Sequence, residues 1–177
     1  MNTSIVKACQ ADLAAIGRIY EDIIARQEQG GPYVGWQRGV YPTEDTARAA
    51  LARGDLFVQR REGKVTGAAI INQIQVDVYR QAAWQYPAPD EQVMVLHTLV
   101  IDPAESGRGL GREFVGYYEA YAAEKGCPFL RMDTNAKNIT ARALYKKLGY
   151  REIGIVPCVF NGLTGVDLVL LEKKLPG

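Results

Sequence analysis

The chain has 177 residues, with 21 Lys and Arg against 20 Asp and Glu, one His and three Cys. That length suits one domain, able to bury roughly 70% of its unfolded surface with no disulfide or metal. The formal net charge of +1 argues against whole-surface binding of nucleic acid or anionic membrane, and one His with three scattered Cys argues against a structural metal site.

Met1–Cys9 reads as neither a signal nor a transit peptide, and no stretch approaches the ~18 apolar residues of a membrane helix. Three cysteines fit a reducing compartment. The expectation is a cytoplasmic chain, a single domain over residues 1–177.

Ser4–Ala8 predicts a short first strand. Asp12–Arg26 carries Leu13, Ile16, Tyr20, Ile23 and Ile24, an apolar stripe at helical spacing. Gly30–Pro42 breaks that pattern with four glycines and two prolines, and holds Tyr33, Trp36 and Tyr41. Thr43 is placed to cap a second helix that ends near Arg53, with Gly54 as its stop. Leu56–Arg60 and Val65–Gln75 read as strands joined at Glu62–Gly63. Asp77–Glu91 is a long polar connection containing Tyr79, Trp84 and Tyr86, a type of loop that often binds ligands. Val93–Ile101 is a nearly unbroken apolar run, as in a strand covered on both faces.

Gly107–Lys125 predicts a helix with Leu110, Phe114, Tyr117, Tyr118 and Tyr121 on one side. Pro128–Asp133 reads as a strand, Asn138–Leu148 as a helix stopped by Gly149, and Tyr150–Val159 and Val166–Lys173 as the last two strands. Strands interleaved with helices imply an α/β domain with a mixed sheet. Cys9, Cys127 and Cys158 are expected as small buried hydrophobes, since no Cys/His pairing is visible.

The stretch from Val93 to Tyr150 is the informative one. A buried strand runs into the turn Ser106-Gly-Arg-Gly-Leu-Gly111 and then into a helix. Glycines let backbone approach a ligand, and the free N–H groups of a helix start form a phosphate site. A P-loop is excluded because Arg112 and Glu113 follow Gly111. A dinucleotide fingerprint also fails, because Arg112 or Phe114 stands where the third glycine belongs.

Leu99–Pro103, the Ser106–Gly111 turn and Asn138–Tyr150 together resemble the GCN5-related N-acetyltransferase (GNAT) family. The resemblance implies a mixed, mostly antiparallel sheet flanked by helices and splayed between strands 4 and 5, with acetyl-CoA held in the splay as acyl donor. It places the pantetheine arm on Leu99, Val100 and Ile101. It places the pyrophosphate on Ser106, Gly107, Arg108, Gly109, Leu110, Gly111 and Arg112, with Ser106 standing where the family has Arg or Gln. Asn138 and Tyr145 match the family's Asn-x-x-Ala-x-x-x-Tyr. Seven residues are two helical turns, about 10 Å along the axis, so Asn138 is expected at the pantetheine amides and Tyr145 at the sulfur of the departing thiolate.

An aliphatic amine arrives protonated, with a pKa near ~10, so a base is needed. His97 is the only His and the side chain best suited to the task near neutrality. Alternation puts it on one face with Val93, Val95, Leu99 and Ile101. Glu91 or Asp77, acting through water, is the rival. The acceptor pocket is expected from the two irregular segments, with Trp36, Asp77, Tyr79 and Glu91 as binding residues. Aromatic walls beside a carboxylate suit an amine cation.

The resemblance thus implies acetyl transfer from acetyl-CoA to a primary amine by direct attack in a ternary complex, with no metal. The two aromatic segments, able to wall a pocket, point to a small-molecule amine. Acetylation of a protein N-terminus or lysine, and a non-catalytic acyl-CoA sensor, remain as alternatives. A homodimer is the common default for such a chain.

Overall fold

A computed structural model describes residues 2–177. Strand β1 (Thr3–Lys7) leads through a single 3-10 turn into helix α1 (Leu13–Glu28). Leu13, Ile16, Ile19, Tyr20 and Ile24 form its buried face, the i, i+3, i+4 pattern of an amphipathic helix. Helix α2 (Glu44–Arg53) starts at Thr43, whose backbone N–H donates to Thr46 Oγ1 at 3.0 Å, and stops at Gly54, where φ is 80°. Strands β2 (Leu56–Arg61) and β3 (Lys64–Asn72) form a hairpin. Its two turn residues, Glu62 and Gly63, both take positive φ, at 51° and 79°, as the twist-matched two-residue turn requires.

Strand β4 spans Val93–Ile101, helix α3 Leu110–Glu124, strand β5 Phe129–Asn135 and helix α4 Ile139–Lys147. Strands β6 (Arg151–Phe160) and β7 (Leu163–Lys174) close the chain. Among the described residues the seven strands lie in the order β1-β2-β3-β4-β5-β7-β6, and only the β4–β5 pair is parallel. Among the described residues no helix is long and apolar enough to cross a membrane.

The sheet is covered on both faces. Helices α3 and α4 pack Phe114, Tyr118 and Tyr145 against Met94, Leu96, Leu130 and Met132. Helices α1 and α2 pack Ile16, Ile19 and Ala47 against Val58, Ala68 and Val100. A third cluster, on the α1 side of β4, β5 and β7, joins Tyr41 and Tyr79 to Val95, Val166 and Leu168. Each fully buried side chain of Phe or Leu size contributes about 2–3 kcal/mol.

Two features of the sheet shape its centre. Strand β5 pairs with β4 only from Val93↔Phe129 to Leu96↔Met132; beyond that, Asp133–Asn135 pair with β7 and β4 pairs with β3. The strands therefore part after Leu96. At the same level β4 holds one extra residue, since Ala68 faces Val100 while Ile70 faces His97. The bulge residue is Thr98, at a φ of 48°, rare for a β-branched side chain.

This bulge corrects the alternation expected for His97. Val93 and Val95 do lie on its face, but Leu99 and Ile101 turn to the opposite one, beside Met94 and Leu96. One inserted residue flips every side chain that follows.

The long connection between β3 and β4 also differs from expectation. Its aromatic residues are spent on packing over the sheet. Arg131 on β5 donates to Gln75 Oε1 at 2.6 Å and to the Tyr86 carbonyl at 3.2 Å, and lies 4.2 Å from the Trp84 ring centre. Glu172, opposite Arg131 on β7, accepts from the Gln85 and Tyr86 N–H groups at 2.6 and 3.3 Å. The connection is a strap over the sheet. Of the three cysteines only Cys127 is buried; Cys158 is half-buried and Cys9 is exposed, contrary to the expectation that all three pack inside.

Candidate active site

A cleft of about 350 Å³ opens where β4 and β5 part. Its first wall comes from Leu99, Val100 and Ile101 on β4, Ser106 and Gly111 of the turn, and Asn138 and Tyr145 flanking and on α4. Beyond Leu96 the β4 edge that would face β5 has no strand partner, so its backbone groups are available to a ligand. The 106–111 turn ends in α3, whose first N–H groups lack intrahelical acceptors. Gly107 and Gly109 take φ of 77° and 76°, which lets the turn fold back over that helix start. An elongated ligand with an anionic end and amide-bearing arm fits this wall. Arg108 is turned toward Glu105 at 3.2 Å. Gly107, Arg108, Gly109, Leu110 and Arg112 belong to the turn and helix start without lining the cleft itself.

Asn138 caps α4, its Oδ1 accepting from the Ala141 N–H at 3.1 Å. Only its Nδ2 is left to donate into the cleft. Tyr145, two turns on, is buried, and its hydroxyl has no hydrogen-bond partner among the described residues. Burial, then the charge of Asp133, raises its pKa well above the ordinary 10, so it stays protonated as a donor.

The second wall lies on the other side of the sheet: Trp36 and Tyr41 from the α1–α2 loop, Phe160 from β6, and Leu163, Val166 and Leu168 from β7. The loop is pinned. Gln27 Oε1 accepts from the Val34 and Gly35 N–H groups, each at 2.8 Å, and its Nε2 donates to the Trp36 carbonyl at 2.8 Å. Gly35, at φ 81°, lies so near Asn135 that any Cβ would overlap its side chain.

Between the walls stands Asp133, which sequence reasoning missed. It alternates with Met132, so it faces the α1 side while Tyr145 reaches in from the α4 side. Tyr79, fully buried, donates its hydroxyl to Asp133 Oδ2 at 2.6 Å. Burial pushes the Asp133 pKa up to about 6, and the Tyr79 hydrogen bond opposes that rise. A carboxyl poised there can accept a proton near neutral pH. The available signal was the pair Arg131 and Asp133, two charges on one face of an otherwise apolar strand.

His97 stands apart from this cleft. Its Nε2 lies 2.8 Å from Asn72 Oδ1, which also accepts from the Ile74 N–H, while Asn72 Nδ2 donates to Asp55. That accounting makes Nε2 the protonated nitrogen. Burial lowers the His97 pKa to about 4. It borders a second hollow of about 530 Å³ with Arg53 and Asn72, separated from the cleft by Tyr41 and Thr98, whose hydroxyls bond each other. Of the acceptor residues expected from sequence, Trp36 lines the cleft; Asp77, Tyr79 and Glu91 do not, and Tyr79 acts on it only through Asp133.

The family model described as the acetyltransferase (GNAT) family matches residues 20–150. A curated protein of Mycobacterium leprae, itself uncharacterised, is 35% identical over 79 residues, which are 45% of this chain and 21% of that protein; the match spans about a fifth of its length. Among solved structures, a GNAT-family acetyltransferase of Streptococcus agalactiae superposes with a TM-score of 0.81 at 22% identity, over 99% of this chain and 96% of that one. The yncA protein of Salmonella typhimurium, solved with its cofactor acetyl-CoA, gives 0.70 at 21% identity, over 100% and 96%.

Proposed function

The chain belongs to the acetyltransferase (GNAT) family, whose acyl donor is acetyl-CoA, and on that premise we propose that it acetylates the primary amine of a small molecule in a ternary complex, the whole chain acting as one domain. The observation that carries this reading is the cleft itself. One group able to take a proton and one able to give a hydrogen bond enter it from opposite faces of the sheet.

In this reading the first-turn N–H groups of α3 bind the phosphates, and Nδ2 of Asn138 meets the amide-bearing arm. A backbone N–H of the Leu99–Ile101 edge polarises the thioester carbonyl. Asp133 takes a proton from the ammonium, and the neutral nitrogen attacks the carbonyl carbon. The carbon–sulfur bond breaks, and Tyr145 donates a hydrogen bond to the sulfur as its negative charge grows. The second proton that the nitrogen sheds on becoming an amide passes through solvent to the thiolate. Asp133 replaces His97 as the base, because Tyr41 and Thr98 stand between His97 and the cleft.

Acetyl-CoA at 100 times its Kd should stabilise the chain by about 2.7 kcal/mol. A thermal-shift titration reads this, and no shift at millimolar concentration overturns the proposal. Free-thiol release across a panel of amines then tests catalysis. Binding without release for any amine would instead indicate a non-catalytic binder, and faster release with peptides a protein acetyltransferase.

A further inference from the structure

The second wall of the cleft has a chemistry of its own. Trp36 and Tyr41 meet edge to face with ring centres 6.2 Å apart, and Tyr41 meets Phe160 at 5.6 Å. Leu163, Val166 and Leu168 complete the surface. The Tyr41 hydroxyl is engaged with Thr98, so it is not free to bind a polar acceptor group. Asp133 is the single carboxylate among the cleft residues. Arg26 is the single cation among them, and it is exposed at the last turn of α1.

We infer that the acceptor is a monoamine with an aryl or branched-alkyl body and no carboxylate, its ammonium directed to Asp133 and its body held by Trp36, Tyr41 and Phe160. This rests on the acetyltransfer reading above and adds the class of acceptor to it. An ammonium beside the aromatic rings gains from their faces, and the apolar body gains from burial. An α-amino acid would set its own carboxylate two bonds from the attacking nitrogen. That group would then stand beside the like charge of Asp133 and against the rings of Trp36, Tyr41 and Phe160. A peptide acceptor would likewise set amides against the apolar side chains of this wall.

The test uses compounds that differ at one position. With acetyl-CoA saturating, kcat/KM for 2-phenylethylamine should exceed that for L-phenylalanine by about a hundredfold or more, with L-phenylalaninamide between them. Phe160→Arg, which puts a cation on the partly exposed rim, should bring the first two together. Equal or better use of phenylalanine by the native chain overturns the inference, as does faster acetylation of a peptide N-terminus or a peptide lysine. If acetyl-CoA binds but no amine is acetylated, the acetyltransfer reading has failed. Binding to the CoA-loaded chain then decides the inference by itself. Tighter binding of 2-phenylethylamine than of phenylalanine upholds it, and equal or reversed binding overturns it.

Discussion

Tyr79 donates its hydroxyl to Asp133 at 2.6 Å from a connection that otherwise serves only to strap the sheet. The bond favours the ionised carboxyl and holds its pKa below what burial alone would set. Removing it with Tyr79→Phe should therefore raise the Asp133 pKa. A hydrogen bond to a charged group is worth roughly 1.5–3 kcal/mol, so the acidic limb of the kcat/KM profile should move about one pH unit upward. A profile that keeps its midpoint while activity falls would deny Tyr79 this positioning role.

Asp133→Asn should abolish most turnover and yet stabilise the fold at neutral pH. The ordinary carboxyl value is 3.8 and the folded value about 6. Across that window the folded chain keeps a proton that the unfolded chain has released, so stability falls as pH rises. Above it the loss is on the order of 3 kcal/mol. The variant should thus melt higher than the native chain at pH 7.5 and show little difference at pH 4. Melting curves at the two pH values measure this.

His97 works in the opposite sense. Its folded pKa is about 4 against an ordinary 6.5, so the unfolded chain gains a proton first as pH falls. Stability is lost from pH 6.5 downward, again by on the order of 3 kcal/mol. The two groups largely offset each other between pH 4 and 6. His97→Gln should unmask Asp133 and make the chain more stable at pH 4.5 than at 7.5, while leaving the shape of the pH–rate profile unchanged. A lost acidic limb in that variant would return His97 to the role of base.

Tyr145→Phe should lower kcat by about a hundredfold, the lower end of what a positioned proton donor contributes. Acetyl-CoA affinity, read by titration, should hardly change, because the hydroxyl meets the sulfur mainly as charge develops there. Unchanged turnover would refute its assignment.

Much of this architecture was legible in the residues. The bounds of β4, the Glu62–Gly63 turn and the Thr43 cap follow from local chemistry that tertiary contacts do not override. The Asn138 to Tyr145 spacing likewise carried two side chains of one wall. The bulge was hidden because Leu96, Leu99, Val100 and Ile101 are apolar on both sides of it, and a strand covered on both faces shows no period to interrupt. Asp133 was hidden because its raised pKa arises from burial among walls that are distant in sequence, and the Tyr79 bond that opposes the rise comes from a distant loop. Trp84 and Tyr86 looked like pocket walls for the converse reason: an aromatic ring in a polar loop reads the same whether it meets a ligand or the buried Arg131.

Gly35→Ala should test how firmly the α1–α2 loop is seated. A methyl there overlaps Asn135 and must also take a φ of 81°, so the loop has to lift. Acetyl-CoA binding should survive, while KM for the acceptor rises several-fold. An unaltered KM would mean that the loop is not part of the acceptor wall.

The three hydrogen bonds between Gln27 and that loop have a consequence for kinetics and for divergence. A mould already set before the acceptor arrives asks for little loss of chain entropy on binding, so the amine should associate without a slow closing step. Such a mould is also hard to re-cut one residue at a time. A chain that acquired a different acceptor would have to exchange the segment together with its two anchors, the last turn of α1 and the tip of β5, as one inherited block.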